Sequence, residues 1–266
     1  MRIDGRPGKK GTLVAAGASV EVAEPVPDAA AFAPTPQPEL PLVVLYVDAD
    51  VVIVDKPAGM PSHPLRPNER GTVANALVAR YPECATASKD PREGGVTHRL
   101  DTDTTGILVA ARTPAAWIAI REAFSAKRIT KTYEALVVGN PPDRGEIVAP
   151  LVSRGKRVRA LRPGEEWTDI VDKTPARDAH TDYEVLTRGT NVALVRATAQ
   201  TGRMHQIRAH FAHLGHPLVG DELYGGPPST NGHLLHASRI LIDLGKPLDI
   251  ACPWPAARKA LLDALL

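Results

Sequence analysis

Apolar and polar positions alternate along this chain in two rhythms. Two β-branched runs, 42–47 and 51–55, flank Asp48-Ala49-Asp50 and predict a hairpin. Val96, His98 and Leu100 alternate at period two and lead into a polar turn, 101–106. An apolar strand follows over 107–111. Further strands are predicted at 133–138, 158–161, 181–186 and 192–199. Helical signals are fewer. Thr72 caps a helix that runs through Arg80 and ends at Pro82. Thr113 and Pro114 open another to about Lys127, with Trp117, Ile118, Ile120 and Phe124 as core candidates. Residues 203–214 predict a helix stopped by Gly215, and 255–266 a terminal one. Strands outnumber helices, and several adjoin without a helical crossover. That pattern predicts an α+β fold with a mostly antiparallel sheet rather than a doubly wound one.

The pattern also divides the chain. Residues 25–41 hold six prolines, Pro25, Pro27, Pro34, Pro36, Pro38 and Pro41, in an Ala-rich background. Proline lacks an N–H and favours extended backbone, so a stiff, poorly packed linker is expected. It separates short strand-like pieces in 1–24 from a folded unit, 42–266. An apolar patch at 13–18 is too short for a signal peptide, and Glu21 follows it closely. No apolar run is long enough for a transmembrane helix.

Composition narrows the picture only a little. Of 266 residues, 43% are hydrophobic, which excludes disorder throughout. A net charge of +2 is too mild to name a nucleic-acid partner, so local clusters must carry that argument. Two such clusters stand out: Arg154, Lys156, Arg157, Arg159 and Arg162, and then Lys127, Arg128 and Lys131. Such runs usually form a solvated face. Cys84 and Cys252 lie far apart and form no metal-ligand pair, so a reduced, cytoplasmic chain is expected.

One carboxylate invites a chemical interpretation. Asp101 begins the polar turn, with Arg99 two residues before it. If the strand continues that far, the two share a face. A neighbouring guanidinium keeps a partly buried Asp ionised. An ionised carboxylate without metal ligands around it suits covalent or electrostatic catalysis at an electrophilic carbon. Taken alone, DTDTTG is more often a plain turn. An EF-hand is excluded, because Arg112 stands where the loop requires a bidentate Glu and a strand follows where a helix should.

Three stretches in order make the catalytic interpretation specific: HRLDTDTTG (98–106), KRITKTYEALVVG (127–139) and TGRMHQIRAHFAHLGHPLVGDELYG (201–225). Together they closely resemble the motifs of the RluA-type pseudouridine synthases. Weaker matches at 45–64, 181–186 and 234–240 extend the resemblance over roughly 42 to the C-terminus. It implies a central mixed sheet with flanking helices and a cleft across it. The implied reaction isomerises uridine in ribosomal or transfer RNA and needs no cofactor; nothing in the sequence demands a partner chain, so a monomer is expected. Residues 1–24 resemble the closing strands of a small RNA-binding domain, or form a fraying basic arm.

The resemblance also implies roles. Asp101 is the catalytic aspartate, acting either at the anomeric carbon or as a base at ribose carbon 2. Tyr133 lies against the target base. Arg203 pairs with Asp101. Arg99 fills the gap left by the flipped base and His98 supports the motif, while Gln206 and Arg208 support the loop or contact phosphate. Lys127, Arg128 and Lys131 contact RNA. No metal is expected: His205, His210, His213 and His216 lack a completing Cys, Asp or Glu before Asp221. Thr105 and Met204 depart from the commoner Ser and Thr of the family. Two rival classes are an RNA-binding protein without activity, and a glycosidase that releases free uracil.

Overall fold

A computed structural model of the chain describes residues 2–8, 12–22, 28–154, 157–162, 164–165, 175–199, 201–245 and 247–266. Near the N-terminus, β1 (Arg2–Ile3), β2 (Arg6–Pro7) and β3 (Val20–Glu21) pair antiparallel in the order β2-β1-β3. The predicted hairpin forms as β4 (Val43–Val47) and β5 (Val51–Lys56). Asp48 closes its turn by accepting the N–H groups of Asp50 and Val51, each at 2.8 Å. Then come α1 (Val73–Arg80), β6 (Thr105–Ala111), α2 (Pro114–Ser125), β7 (Ile129–Val138), β8 (Arg144–Val148), β9 (Leu151–Arg154) and β10 (Arg157–Ala160). The chain ends through β11 (His180–Arg188), β12 (Val192–Ala199), α3 (Gln206–His213), β13 (Leu235–Asp243), β14 (Pro247–Ala251) and α4 (Ala256–Leu265).

The main sheet has nine strands in the order β4-β5-β6-β13-β7-β12-β11-β8, with β14 also on β13. This is the mixed, mostly antiparallel α+β sheet that the pattern predicts. Among the described residues its one parallel pairing, β6 with β13, covers only Thr105–Gly106 against His236–Ala237. Gly106 is required there. It lies at φ +103, and a Cβ would meet the Ala237 carbonyl oxygen at 2.3 Å. Upstream of Thr105 the chain leaves the sheet as a loop, and that loop carries Asp101. A bulge in β13 between Ala237 and Arg239 faces Tyr133 and Thr132 of β7. The central strands are dry: Val52–Val54 and Leu108–Ala111 are wholly buried.

Several details differ from the expectations. Residues 96–100 are not a strand; a single bridge joins Val96 to Ala110, after which the chain turns out. Arg99 is therefore exposed while Leu100 is buried, and no pleat aligns Arg99 with Asp101. Helix α2 buries Ala116, Ile120 and Ala123; Trp117 and Phe124 pack at its margin, and Ile118 stays 43% exposed. The stretch before β4 is not loosely packed. Pro34 and Gln37 are buried. Gln37 donates its N–H to Asn75 O and accepts Gly71 N–H at 2.7 Å, while Asn75 Nδ2 donates to Thr35 O at 2.8 Å. The prolines hold this segment extended, so it docks on the start of α1 at little entropic cost. Residues 25–27 of the expected linker lie outside the described residues.

Candidate active site

The loop from Leu100 to Thr105 is pinned at almost every residue. Ser62 Oγ both accepts Leu100 N–H and donates to Leu100 O, each at 3.0 Å. Thr104 N–H closes a turn on Asp101 O at 3.1 Å. Lys56 Nζ donates to Thr102 O and Met60 O at 2.7 Å and to Pro57 O at 2.9 Å. Arg258 of α4 donates to Asp103 O at 2.7 Å and to the carbonyl of His233. The Thr104 and Thr105 hydroxyls meet His233 Nε2 and His236 Nδ1, both at 2.8 Å. Lys56 is wholly buried, and burial pushes its amine down to about 7. Its three carbonyl acceptors take three N–H groups, and only the ammonium form supplies three.

Asp101 is held from α3. Arg208 Nη1 donates to Asp101 Oδ2 at 2.9 Å, while Arg208 Nε and Nη2 fork onto Asp221 at 2.7 and 2.8 Å. The Arg208 ring neighbour is Tyr224, with its centroid 5.1 Å from the guanidinium carbon. Asp101 Oδ1 faces His205 Nε2 at 3.7 Å. Burial pushes the Asp101 carboxyl up. In the acid range where Asp101 titrates, the pull of His205, of Arg208 and its hydrogen bond, and of His233 outweighs that, so it sits below its ordinary value. Burial also depresses His205 and takes His233 down to about 3, so Arg208 is the standing cation at neutral pH.

Two small cavities open on Asp101. One, of about 180 Å³, is lined by Ser62, His63, Arg99, His205, Arg208 and His233 among others. The second, of about 100 Å³, is walled by Lys131, Tyr133, Thr201, Met204 and Leu235 and shares Arg99, Asp101, His205 and Arg208 with the first. Tyr133 is only 7% exposed, and burial together with the Asp101 charge pushes its phenol well up. Lys131 stands two residues before Tyr133 on the same face of β7, with burial lowering its amine to about 8.

The predicted site residues thus sort into those that converge and those that do not. Asp101, Tyr133, Arg99, Lys131 and Arg208 meet at the cavities. Arg203 also lines the second cavity, but its Nε donates to Asp178 O at 3.0 Å; the expected pairing of Arg203 with Asp101 is corrected to Arg208. The cause is the start of α3. His205 sits in left-handed backbone at φ +53, so the helix begins at Gln206 and only Arg208 points at the loop. Gln206 lines the second cavity, but its amide is spent inside the protein, which fits support of the loop. It is buried, with Nε2 on His180 O and Thr181 Oγ1 and with Oε1 on Thr201 Oγ1 and Arg203 N. His98 is likewise internal: its Nε2 accepts Val109 N–H at 3.1 Å and its ring packs on Phe124, which agrees with a supporting role and not with RNA contact. Lys127 and Arg128 lie at the turn before β7, about 17 Å along the strand from Tyr133, and line neither cavity. Arg128 donates to Asp243 O.

Among the contributors that escaped the sequence are Lys56, Asp221, Tyr224 and Arg258. Asp221 and Tyr224 stand inside the quoted motif 201–225, which was the available signal. The histidines weighed for zinc have separate protein partners: His210 meets Thr181 Oγ1 and Ala149 O, and His216 meets Val138 O. Among the described residues, the group that could hold an ion is Glu146, His180 and Asp182, brought together by cross-strand pairing of β8 and β11.

A mixed sheet that opens at its one parallel pair, with an arginine-held carboxylate in the opening, defines the class by fold and site. Two solved human structures share the fold. RNA Pseudouridylate Synthase Domain Containing 4 has TM-score 0.65 and 23% identity, over 84% of this chain and 92% of that one. RNA Pseudouridylate Synthase Domain Containing 1 has TM-score 0.64 and 25% identity, over 85% and 94%. The sequence model of the RNA pseudouridylate synthase family matches residues 50–213, and this chain belongs to that family. It is 38% identical to the ribosomal large subunit pseudouridine synthase D of Yersinia pestis, over 82% of this chain and 60% of that protein. It is 40% identical to an uncharacterized RNA pseudouridine synthase of Chloroflexus aurantiacus, over 79% and 65%. The Haemophilus ducreyi ribosomal large subunit pseudouridine synthase D is 33% identical over 94% of this chain and 77% of its own length. The chain therefore spans about 60% of the Yersinia relative's length.

Proposed function

We propose that this chain is an RNA pseudouridine synthase, an isomerase acting on uridine in ribosomal RNA or, failing that, transfer RNA. The observation that carries this is Asp101: a partly buried carboxylate kept ionised and aimed by Arg208 at a cavity that also holds Tyr133. The bond from ribose C1′ to N1 breaks, the uracil turns, and C1′ bonds to C5. The proton on C5 is lost and N1 ends protonated, so the change is balanced without redox or group transfer. Asp101 serves either by attacking C1′ or by taking the proton at C2′. In the first route the Asp101–C1′ bond breaks as C1′ bonds to C5, and in the second Asp101 returns its proton to C2′, so the carboxylate is regenerated before C5 loses its proton; Tyr133 lies beside the base in the same cavity.

The substrate must be turned out of its stack to reach so enclosed a carboxylate. On this reading Arg99, exposed and lining both cavities, fills the vacated position, and Lys131 of the second cavity meets the flipped nucleotide. Backbone contact falls to the arginines of β10 and beyond. Arg157, Arg159 and Arg162 line a groove of about 800 Å³ that shares Tyr224 with the site. Arg159 is partly neutralised by Glu165 at the groove's edge. We read the working unit as one chain in the cytoplasm. Two buried free cysteines suit a reducing compartment, and no helix among the described residues is long and apolar enough to cross a membrane.

The test is to incubate the protein with ribosomal and transfer RNA and resolve the digested nucleosides. Pseudouridine without free uracil is the expected result. Free uracil would favour the glycosidase, and binding without either product would favour the inactive RNA-binding reading.

A further inference from the structure

Behind Asp101 run two hydrogen bonds and one longer electrostatic contact that no step above uses. Val158 of β10 donates its N–H to Tyr224 Oη at 3.0 Å. Tyr224 Oη meets His205 Nδ1 at 3.0 Å, and His205 Nε2 faces Asp101 Oδ1 at 3.7 Å. The phenol has one proton and is itself buried, 6% exposed. Its oxygen already accepts from Val158. If His205 Nδ1 carried a proton, the oxygen would accept twice and its own O–H would lack an acceptor among the described residues. If Nδ1 accepts, every group is satisfied. A second argument gives the same tautomer. With the proton on Nδ1, the Nε2 lone pair would face the ionised Asp101, lone pair against anion. Asp101, Arg208, Asp221 and Arg99 are the charged groups around the ring, and burial keeps His205 neutral among them.

We infer that His205 is a positioning residue for the isomerisation: Tyr224 and the Val158 N–H fix its Nε2–H tautomer, and that N–H orients Asp101 Oδ1, the oxygen left to act on the ribose. This rests on the synthase reading. Oδ2 is committed to Arg208 at 2.9 Å. Oδ1 has the longer contact, which steers it without binding it tightly, so it stays nucleophilic or basic. The left-handed backbone at His205 belongs to the same arrangement. It turns the ring back from the start of α3 into the space between Asp101 and Tyr224, with the His205 and Tyr224 rings edge to face at 5.8 Å. Because Val158 lies on the strand that carries Arg157 and Arg159, the chain also ties the basic groove to the carboxylate.

The experiment uses the full chain with ¹⁵N-labelled histidine, the His205 signal being assigned by its loss in His205→Gln. Wild type should show a neutral ring protonated at Nε2. Tyr224→Phe should give a tautomer mixture. Single-turnover rates and RNA affinities are then measured for His205→Asn and His205→Gln. The amide nitrogen of Asn overlies Nδ1 and cannot reach Asp101, whereas that of Gln overlies Nε2 and can. We expect His205→Asn to slow turnover by about 10- to 100-fold with RNA affinity within about twofold of wild type, and His205→Gln to recover most of the rate. Thermal melts confirm that both variants fold. A wild-type ring protonated at Nδ1, an Asn variant at full rate, a Gln variant as slow as Asn, or a rate loss matched by weaker RNA affinity overturns the proposal. The tautomer is read without substrate. A wild type that turned over no RNA would therefore count against the synthase reading, and the tautomer would still decide for or against the chain of bonds.

Discussion

Arg208 is the side chain on which the site turns. It spends two donors on buried Asp221 and one on Asp101, so three of its five N–H groups hold two carboxylates at fixed angles. Arg208→Lys cannot serve both carboxylates. We expect a loss of about 10²- to 10³-fold in single-turnover rate and a lower melting temperature, against a change within about tenfold for Arg203→Ala. Equal losses would restore the pairing expected for Arg203. That pairing could not be corrected from the sequence. Both arginines stand in TGRMHQIR, and which one faces Asp101 depends on where α3 starts. The start is set by a left-handed histidine, a backbone state that no residue pattern announces. The pH behaviour of Asp101 follows from its environment. Its folded-state carboxyl lies below the ordinary value, so its stabilisation is complete above the unfolded value of about 3.9 and is lost as pH falls through the folded one. Stability measured by urea melts from about pH 7 to pH 3 should show no loss assignable to Asp101 until below about pH 4, and Asp101→Asn should abolish that acid step.

At the scale of elements, the loop before β6 is held by charged side chains that donate to main-chain carbonyls. Lys56 comes from the end of β5 and Arg258 from α4, far apart in sequence. The hairpin, α1, α2 and β12 were all readable because periodicity and capping residues are local signals: Thr72 and Thr113 accept the N–H groups of Asn75 and Ala116 as cap logic requires. Lys56 and Arg258 were not readable, because a backbone acceptor has no residue type. The same reason hid β13. Its short LLHASRI run reads as one weak motif, yet it pairs with β6, β7 and β14. Lys56→Met keeps the stem and removes all three donors. Three carbonyls would then be left without partners, and we expect about 2–4 kcal/mol of lost stability in urea melts, with activity lost together with loop order. A change under about 0.5 kcal/mol would show that the loop holds itself.

Over the whole molecule, a nearly neutral chain sets three arginines along one groove. Net charge is only +2, so the sum conceals the footprint, and only the fold brings Arg157, Arg159 and Arg162 beside Tyr224. Arg157→Ala with Arg162→Ala should weaken RNA binding and reduce the slope of log K against log salt by about 0.7 to 0.9 for each phosphate no longer neutralised, read by titration at several salt concentrations. An unchanged slope would move the RNA path elsewhere. The central claim is that Asp101 performs the isomerisation, and the most direct measurement is release of tritium from C5 of uridine in cellular RNA labelled there. The wild-type chain should release it. Asp101→Asn, folded by its melt and still accepting from Arg208, should release none above background. Release by Asp101→Asn at the wild-type rate would contradict the account.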